Sequence, residues 1–128
     1  MNPRIRPARA AHLGIQDKRH VLGMVTIAQF AAMRQQTTRL VEKDLAAGRL
    51  FAMEMDGQHW ILAAFANPSI DKRRLARLCR VLQEAPAGAR LRFLTTPKGS
   101  LSGRTPLEAL IAGSWGDVVT AARGYMDR

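Results

Sequence analysis

The chain has 128 residues, with 20 Lys and Arg against 10 Asp and Glu and a formal net charge of +10. This length allows one domain or two very small ones, and so large a positive excess favours a polyanionic partner such as nucleic acid. Cys79 is the single cysteine, which excludes an intrachain disulfide and a cysteine-based zinc site. No apolar run has the length of a membrane span, and no apolar segment follows the first arginines as in a secretory signal. We therefore expect a cytoplasmic protein that does not contact a membrane.

Residues 1–23 form a basic segment with five Lys or Arg, two prolines and one acidic residue, Asp17. No helical or strand period runs through it, although Ala8 to Leu13 is compatible with a short helix. We predict a basic N-terminal arm. Two interpretations remain open: the arm lies along phosphates or in a minor groove, or it is a tail that only adds solubility.

The first organised element is a short helix after Thr26. Thr26 and Gln29 have the spacing of a capping box, in which each side chain bonds the backbone N–H of the other residue. The helix is expected to end near Met33. Its apolar face comprises Ile27, Phe30 and Ala31.

A second short helix follows the polar residues 34–36. Thr37 or Thr38 is its expected N-cap, and Gly48 is expected to end it in a left-handed conformation. The predicted buried residues are Leu40, Val41 and Leu45. Two short helices joined by about three polar residues are typical of a helix-turn-helix.

A β-hairpin is predicted directly behind the second helix. The strands Leu50–Met55 and Gln58–Leu62 flank Asp56-Gly57, a dipeptide suited to a type I′ turn. The register pairs Met53 with Trp60, Phe51 with Leu62 and Glu54 with His59. One face is then apolar (Phe51, Met53, Trp60, Leu62), and the other carries Ala52, Glu54, His59 and Ile61. Residues 24–68 are thus predicted to form a winged helix-turn-helix.

Residues 69–128 are predicted to form a small helical C-terminal domain, which makes the whole chain α+β. An amphipathic helix spans Ile70–Ala85 and is ended by Pro86 and Gly88; Arg90–Leu94 is expected as a short strand or extended segment. The predicted core of the first helix is Leu75, Leu78, Cys79 and Leu82. Two further helices have clear start signals, which are the capping residues Thr105, Pro106 and Glu108, with Gly113 at the end, and then Ser114 and Asp117. The last helix is expected to bury Val118, Ala122 and Tyr125.

Residues with catalytic chemistry are scattered. His12, His20 and His59 have no second ligand at metal-binding spacing, and Cys79 falls on a core-facing position. Glu54 opposite His59 is a charge-complementary strand pair rather than an acid–base site. We therefore expect no enzyme, no cofactor and no metal.

Candidate DNA contacts follow from the predicted elements, because side chains at the start of the second helix of a helix-turn-helix reach base edges. Arg39 is suited to guanine and Gln36 to adenine. The full set is Thr26, Gln36, Thr37, Thr38, Arg39, Lys43, Gln58, His59, Lys72 and Arg73. Two alternatives stay open: the helix pair is only a packing unit, and the cationic face from Lys72 to Arg80 is only a solvated surface.

Two segments carry family resemblances. Val25–Leu62, with Gly48-Arg49-Leu50 between second helix and hairpin, resembles the winged helix of MerR and phage-excisionase type regulators. Phe93–Gly113 resembles the toxin-binding domain of Xre/MbcA/ParS-type antitoxins. The residues of this second motif are Leu101, Gly103, Thr105, Pro106 and Leu107.

The resemblances imply a function. The first implies sequence-specific binding of double-stranded DNA and transcriptional regulation, which we expect from a homodimer on paired half-sites. The second implies an autoregulating antitoxin that binds a RES-type toxin through the motif around Leu101–Gly113. The alternative is a protein–protein interaction module that does not read DNA.

Overall fold

The computed structural model describes residues 23–127, which contain six α-helices and one three-stranded antiparallel sheet. The protein is therefore α+β, as expected. The elements are β1 (Met24–Thr26), α1 (Ile27–Arg34), α2 (Thr38–Ala46), β2 (Met53–Met55), β3 (Gln58–Leu62), α3 (Lys72–Val81), α4 (Ala87–Thr95), α5 (Pro106–Ile111) and α6 (Trp115–Met126). Two short 3₁₀-helices lie at Ala63–Ala66 and Gly99–Leu101. Residues 1–22 of the predicted arm, with His12, His20 and the short helix Ala8–Leu13, lie outside the described residues.

Threonine N-caps begin both α1 and α2. The Thr26 hydroxyl accepts from the Gln29 N–H at 3.1 Å, and the Gln29 amide oxygen accepts from the Thr26 N–H at 2.8 Å, so the predicted capping box is confirmed. Thr37, rather than Thr38, caps α2 by accepting from the Leu40 N–H at 3.2 Å. These caps satisfy backbone donors that have no partner inside the helix.

The buried face of α2 is narrower than predicted. Val41 is fully buried and Leu45 is half-buried, whereas Leu40 is 46% exposed. The prediction that Leu40 is buried was wrong. Successive helical residues are about 100° apart, so a face centred on Val41 and Leu45 turns Leu40 outward.

The sheet has the strand order β1-β3-β2. β2 and β3 pair with Met53 opposite Trp60 and Glu54 opposite His59, which confirms the predicted register. Asp56 and Gly57 both have positive φ, 55° and 73°, as a type I′ turn requires. β1 was not predicted; it pairs antiparallel with the other edge of β3.

Two hairpin predictions were wrong. Phe51 does not pair with Leu62, because β2 begins only at Met53 and the Phe51 ring packs edge-on against Phe65 at 5.6 Å. Ile61, expected on the polar face, is fully buried, as is Leu62. Successive strand residues point to opposite faces, so both faces of β3 are covered at this end.

Helix α3 is shorter than predicted. It begins after Asp71, whose carboxylate accepts from the Arg73 N–H at 3.2 Å, and it ends at Val81. Its predicted core residues are all buried: Leu75, Leu78, Cys79 and Leu82. Pro86 does not end α3 but stands at the N-cap of α4.

The strand or extended segment predicted at Arg90–Leu94 is an α-helix, α4. The alternation of Leu91 and Phe93 with arginines suggested a strand. Leu91 and Leu94 are both buried three residues apart, and this helical spacing describes the segment better. Tyr125 packs its ring on Phe93 with centroids 5.1 Å apart.

The start signal of α5 acts as predicted. The Thr105 N–H donates to Glu108 Oε1 at 2.8 Å, and the Thr105 hydroxyl accepts from the Glu108 N–H at 3.0 Å. Gly113, with φ 89°, follows its C-terminal end. The Ser114 side chain makes no cap hydrogen bond to α6; its hydroxyl oxygen accepts from Arg104 Nη2 at 3.3 Å.

One continuous cluster of buried side chains runs from Met24 to Ala122 and joins the sheet to the helices. α1 contacts α2 and β3, α3 contacts α6, and α5 contacts both α4 and α6. Val118 and Ala122 are fully buried on α6, as predicted, and Tyr125 is half-buried. None of the helices between residues 23 and 127 combines the length and apolar character that a bilayer span requires.

Candidate nucleic-acid interface

The turn between α1 and α2 is closed without a glycine. Gln35 adopts a left-handed conformation with φ 57°, and its N–H donates to the Ala32 carbonyl at 3.1 Å. The Gln36 N–H donates to the Ala31 carbonyl at 2.8 Å. These two bonds form a Schellman motif, which satisfies the last carbonyls of α1 and fixes the direction in which α2 departs.

The buried Arg34 side chain links this turn to Phe65 and to Asp44. Its Nη2 donates to the Phe65 carbonyl at 3.2 Å, and Nη1 lies 3.7 Å from Asp44 Oδ2 of α2. The guanidinium also lies over the Phe30 ring at 4.9 Å. Burial lowers the pKa of Arg34, and the Asp44 carboxylate partly offsets this effect. From the sequence, residues 34–36 were expected only as a polar break. The hydrogen bond from Arg34 to the Phe65 carbonyl joins residues 31 positions apart, so no local pattern indicates it.

The first turn of α2 is exposed. Thr37, Thr38 and Arg39 are exposed, as is Lys43 one turn later. Within residues 23–127, neither Arg39 nor Lys43 forms an ion pair. These predicted contacts are therefore available to an external ligand, although the Thr37 hydroxyl already accepts the capping bond.

Two other predicted contacts are less accessible. Thr26 is half-buried, with its hydroxyl and N–H both used in the capping box. Gln36 is half-buried, and among the described atoms its buried amide oxygen has no hydrogen-bond partner. By contrast, Gln58 and His59 are exposed on the hairpin, and His59 also lines an open cavity of about 650 Å³ beside α2.

The polar face of α3 is strongly cationic. Its exposed residues are Lys72, Arg73, Arg74, Arg77 and Arg80. Of these, Arg74 lies 3.6 Å from the Asp71 carboxylate. The other four make no ion pair within the described part of the chain.

A cavity of about 450 Å³ lies between α2 and α3. Its lining residues are Arg34, Gln36, Asp44, Arg49, Lys72, Arg73, Ala76 and Arg80. The structure thus brings together Gln36, Lys72 and Arg73, which the sequence analysis placed in different regions. Arg39 and Lys43 do not line this cavity.

The segment resembling antitoxins has both buried and exposed positions. Leu101 is 1% exposed and Pro106 is buried, while Thr105 and Leu107 are half-buried. Gly103 is exposed and has φ 80°. Capping and core packing account for most of this motif.

Cys79 is 2% exposed, and burial raises the pKa of its thiol to about 12. A thiol with this pKa is protonated at neutral pH and is a poor nucleophile. Residues 23–127 contain no group of three His, Cys, Asp or Glu side chains that could hold a metal ion.

No protein-family model matches the chain, and no curated protein matches it. The chain is similar to a solved structure, the NMR structure of a protein designated Rv2175c. The two share 22% sequence identity over 80% of each chain, with a TM-score of 0.66. At this identity, the likeness shows a shared fold alone.

Proposed function

We propose that the chain is a sequence-specific DNA-binding transcriptional regulator. In this proposal, residues 24–68 act as a winged helix-turn-helix, with α2 in the major groove and the β2–β3 hairpin as the wing. The observation that carries it is the first turn of α2, where the four consecutive residues Thr37–Leu40 are exposed immediately after a well-formed turn.

The exposed side chains of α2 are chemically suited to base edges. Arg39 presents a guanidinium that can pair bidentately with guanine, and Thr38 presents a hydroxyl and a methyl group. Leu40 was missed as a contact because it was expected in the core. An apolar side chain that is 46% exposed at this position fits the methyl group of thymine.

Positive charge outside α2 supports the same proposal. In this proposal, the exposed Gln58 and His59 contact the DNA backbone or minor groove from the wing, where Glu54 and Asp56 reduce the attraction. The α3 face adds five exposed cationic side chains. Phosphate contacts of this kind position a protein on DNA, while base contacts specify the sequence.

The toxin-binding version of the proposal has less support. Of the five motif residues, Leu101 and Pro106 are buried and Gly103 alone is exposed, so few side chains of this motif are accessible to a partner. We therefore propose DNA binding without a toxin partner. A RES-like toxin encoded beside this chain, together with co-purification of the two proteins, would restore the antitoxin version.

We also propose that the protein binds paired half-sites as a homodimer. Two copies on a two-fold symmetric site double the number of contacts, which is how such small modules gain affinity. Light scattering of the free protein and of its DNA complex tests this point. A complex with one chain per duplex would contradict it.

The test of DNA reading is fluorescence anisotropy with duplexes selected by the protein from a random pool. Arg39→Ala is expected to weaken specific binding by about 1–3 kcal/mol and to relax the preference at one base pair. Arg92→Ala on α4 removes the same charge from an exposed position outside residues 24–68, so it is the matched control. It should keep the sequence preference.

Two results would contradict the proposal. No enrichment of any sequence from the pool would exclude sequence-specific reading and favour the protein-interaction alternative. An equal loss of affinity in Arg39→Ala and Arg92→Ala would show that Arg39 contributes only general charge.

A further inference from the structure

We propose that the cavity between α2 and α3 is a binding site for a phosphate group. Five cationic side chains line it, against one carboxylate, Asp44; they are Arg34, Arg49, Lys72, Arg73 and Arg80. An excess of cations around one concave surface focuses an attractive potential on an anion. Arginine forks in particular match the geometry of phosphate oxygens.

The single carboxylate is already neutralised. Arg49 Nε donates to Asp44 Oδ1 at 2.8 Å, and Arg34 Nη1 lies 3.7 Å from Asp44 Oδ2. Asp44 therefore orders two of the five cations rather than repelling an incoming anion. The other three, Lys72, Arg73 and Arg80, have no carboxylate partner within residues 23–127. Their charge is available to a ligand.

Gln36 contributes a polar side chain to the wall of the cavity. Its amide oxygen is buried, and within the described part of the molecule it has no hydrogen-bond partner. Leaving a buried polar group unsatisfied costs free energy, so native proteins rarely do it. Rotation of the Gln36 side chain into the cavity would remove this cost, and its amide N–H groups would then donate to a phosphate oxygen.

The size and position of the cavity fit this ligand. Its volume of about 450 Å³ holds a phosphate group with ordered water, and the exposed Lys72, Arg73 and Arg80 leave it accessible from solvent. Gln36 immediately precedes the N-cap of α2, and Lys72 opens α3. The positive ends of both helix dipoles therefore lie near the site.

The phosphate has two possible sources. One is the DNA backbone, an assignment that rests on the proposed function and would couple α3 to the register of α2 on the duplex. The other is a free phosphate-bearing molecule, which requires no DNA binding. Both use the same chemistry at the same residues, and separate measurements distinguish them.

The site itself is tested by titrating inorganic phosphate into the full-length, ¹⁵N-labelled protein at constant ionic strength, with chloride as the reference. We expect saturable shifts of the Gln36 side-chain amide and of the backbone amides of Gln36 and Arg73. Arg73→Gln and Arg80→Gln should each weaken phosphate binding about tenfold. Arg77→Gln removes the same charge from the same helix outside the cavity and should leave the affinity unchanged within twofold.

The source of the phosphate group is tested by measuring the affinity for a DNA duplex of about 20 base pairs across a range of salt concentrations. If the DNA backbone fills the site, Arg73→Gln and Arg80→Gln lower duplex affinity more than Arg77→Gln. Each should reduce the salt slope by about 0.9. If duplex affinity falls equally in all three variants, or if no duplex binds, phosphate titration still supports the site, and the ligand is then a free phosphate compound.

The proposal is overturned if phosphate shifts spread evenly over the basic residues and Arg77→Gln weakens binding as much as Arg73→Gln and Arg80→Gln do. It is also overturned if phosphate and chloride give the same shifts at Gln36. Unchanged circular dichroism of the three variants, whose altered side chains are all exposed, separates either result from unfolding.

Discussion

Helices α2 and α5 both begin at a threonine N-cap, but the residues that follow the two caps have different surroundings. Thr37 and Thr105 have the same ψ, 156°, and each side-chain oxygen accepts from the N–H three residues later. After Thr37 come three exposed residues, 38–40. After Thr105 comes a buried residue, Pro106, and Ala109 and Leu110 are buried one turn later.

The difference shows that a capping signal determines where a helix begins and not what the helix faces. α5 packs between α4 and α6, whereas α2 is covered on one side only, chiefly through Val41. For this reason, Leu101 and Pro106 lie in the core beside the start of α5, whereas residues 37–40 at the start of α2 are exposed.

The strongest test of this contrast compares one leucine from each helix. Leu110→Ala removes a side chain that is 3% exposed and is expected to destabilise the protein by about 2–5 kcal/mol through loss of burial and a residual cavity. Leu40→Ala should change stability by no more than about 0.5 kcal/mol. Urea denaturation followed by circular dichroism measures both. Similar losses would mean that Leu40 is part of the core.

Arg34→Ala is expected to cost about 2–3 kcal/mol of unfolding free energy. It leaves the Phe65 carbonyl and the Asp44 carboxylate without the buried guanidinium that joins α1 to α2. Arg39→Ala, which changes an exposed arginine of the same helix pair, is the control and should be neutral for stability. Equal effects in the two variants would argue against a structural role for Arg34.

The two threonine N-caps give a test in which the expected loss of stability is smaller and should be equal at both positions. Thr37→Ala and Thr105→Ala should each cost about 1 kcal/mol, because each removes one acceptor of an otherwise free N–H. The equality is the prediction, since each threonine hydroxyl accepts one N–H three residues later, while the surroundings differ. A loss at Thr105 several times that at Thr37 would show that burial changes the energy of the cap.

Cys79 is buried on α3, and Arg90 and Arg34 partly offset the effect of burial on the pKa of its thiol. The pKa in the folded protein, about 12, exceeds the ordinary value of 9.0, so the unfolded chain loses this proton first as the pH rises. Stability is therefore lost above pH 9, by about 1 kcal/mol between pH 9 and pH 10. Chemical denaturation at both pH values measures the loss. Cys79→Ala should not show this increment, and an identical pH profile in both proteins would contradict the assignment.

The smallest expected effect is an increase in the stability of the protein. Gln35→Gly removes a side chain from a left-handed position and should stabilise the protein by about 0.5–1 kcal/mol. The backbone strain that the change relieves is expected to be larger than the cost of the extra conformational entropy that glycine gives the unfolded chain. Ala47→Gly, at the C-cap of α2 with φ −85°, should destabilise it instead. Thermal unfolding of the pair measures the difference, and two changes of the same sign would rule out strain at Gln35.

The sequence alone predicted the parts of this protein that depend on neighbouring residues. The capping boxes at Thr26 and Thr105 and the hairpin register around Asp56-Gly57 are encoded within a few positions, because they rest on local hydrogen bonds and turn geometry. Charge and spacing also selected Thr38, Arg39 and Lys43, which are exposed on α2.

Only the tertiary structure decided which faces are covered. It exposed Leu40, buried Ile61 and Leu101, and paired β1 with β3, because each outcome depends on elements distant in the sequence. The same reason explains why Arg34 was missed and why Arg73 was not placed beside Gln36. A cavity between α2 and α3 exists only once the two helices pack, and no local pattern records it.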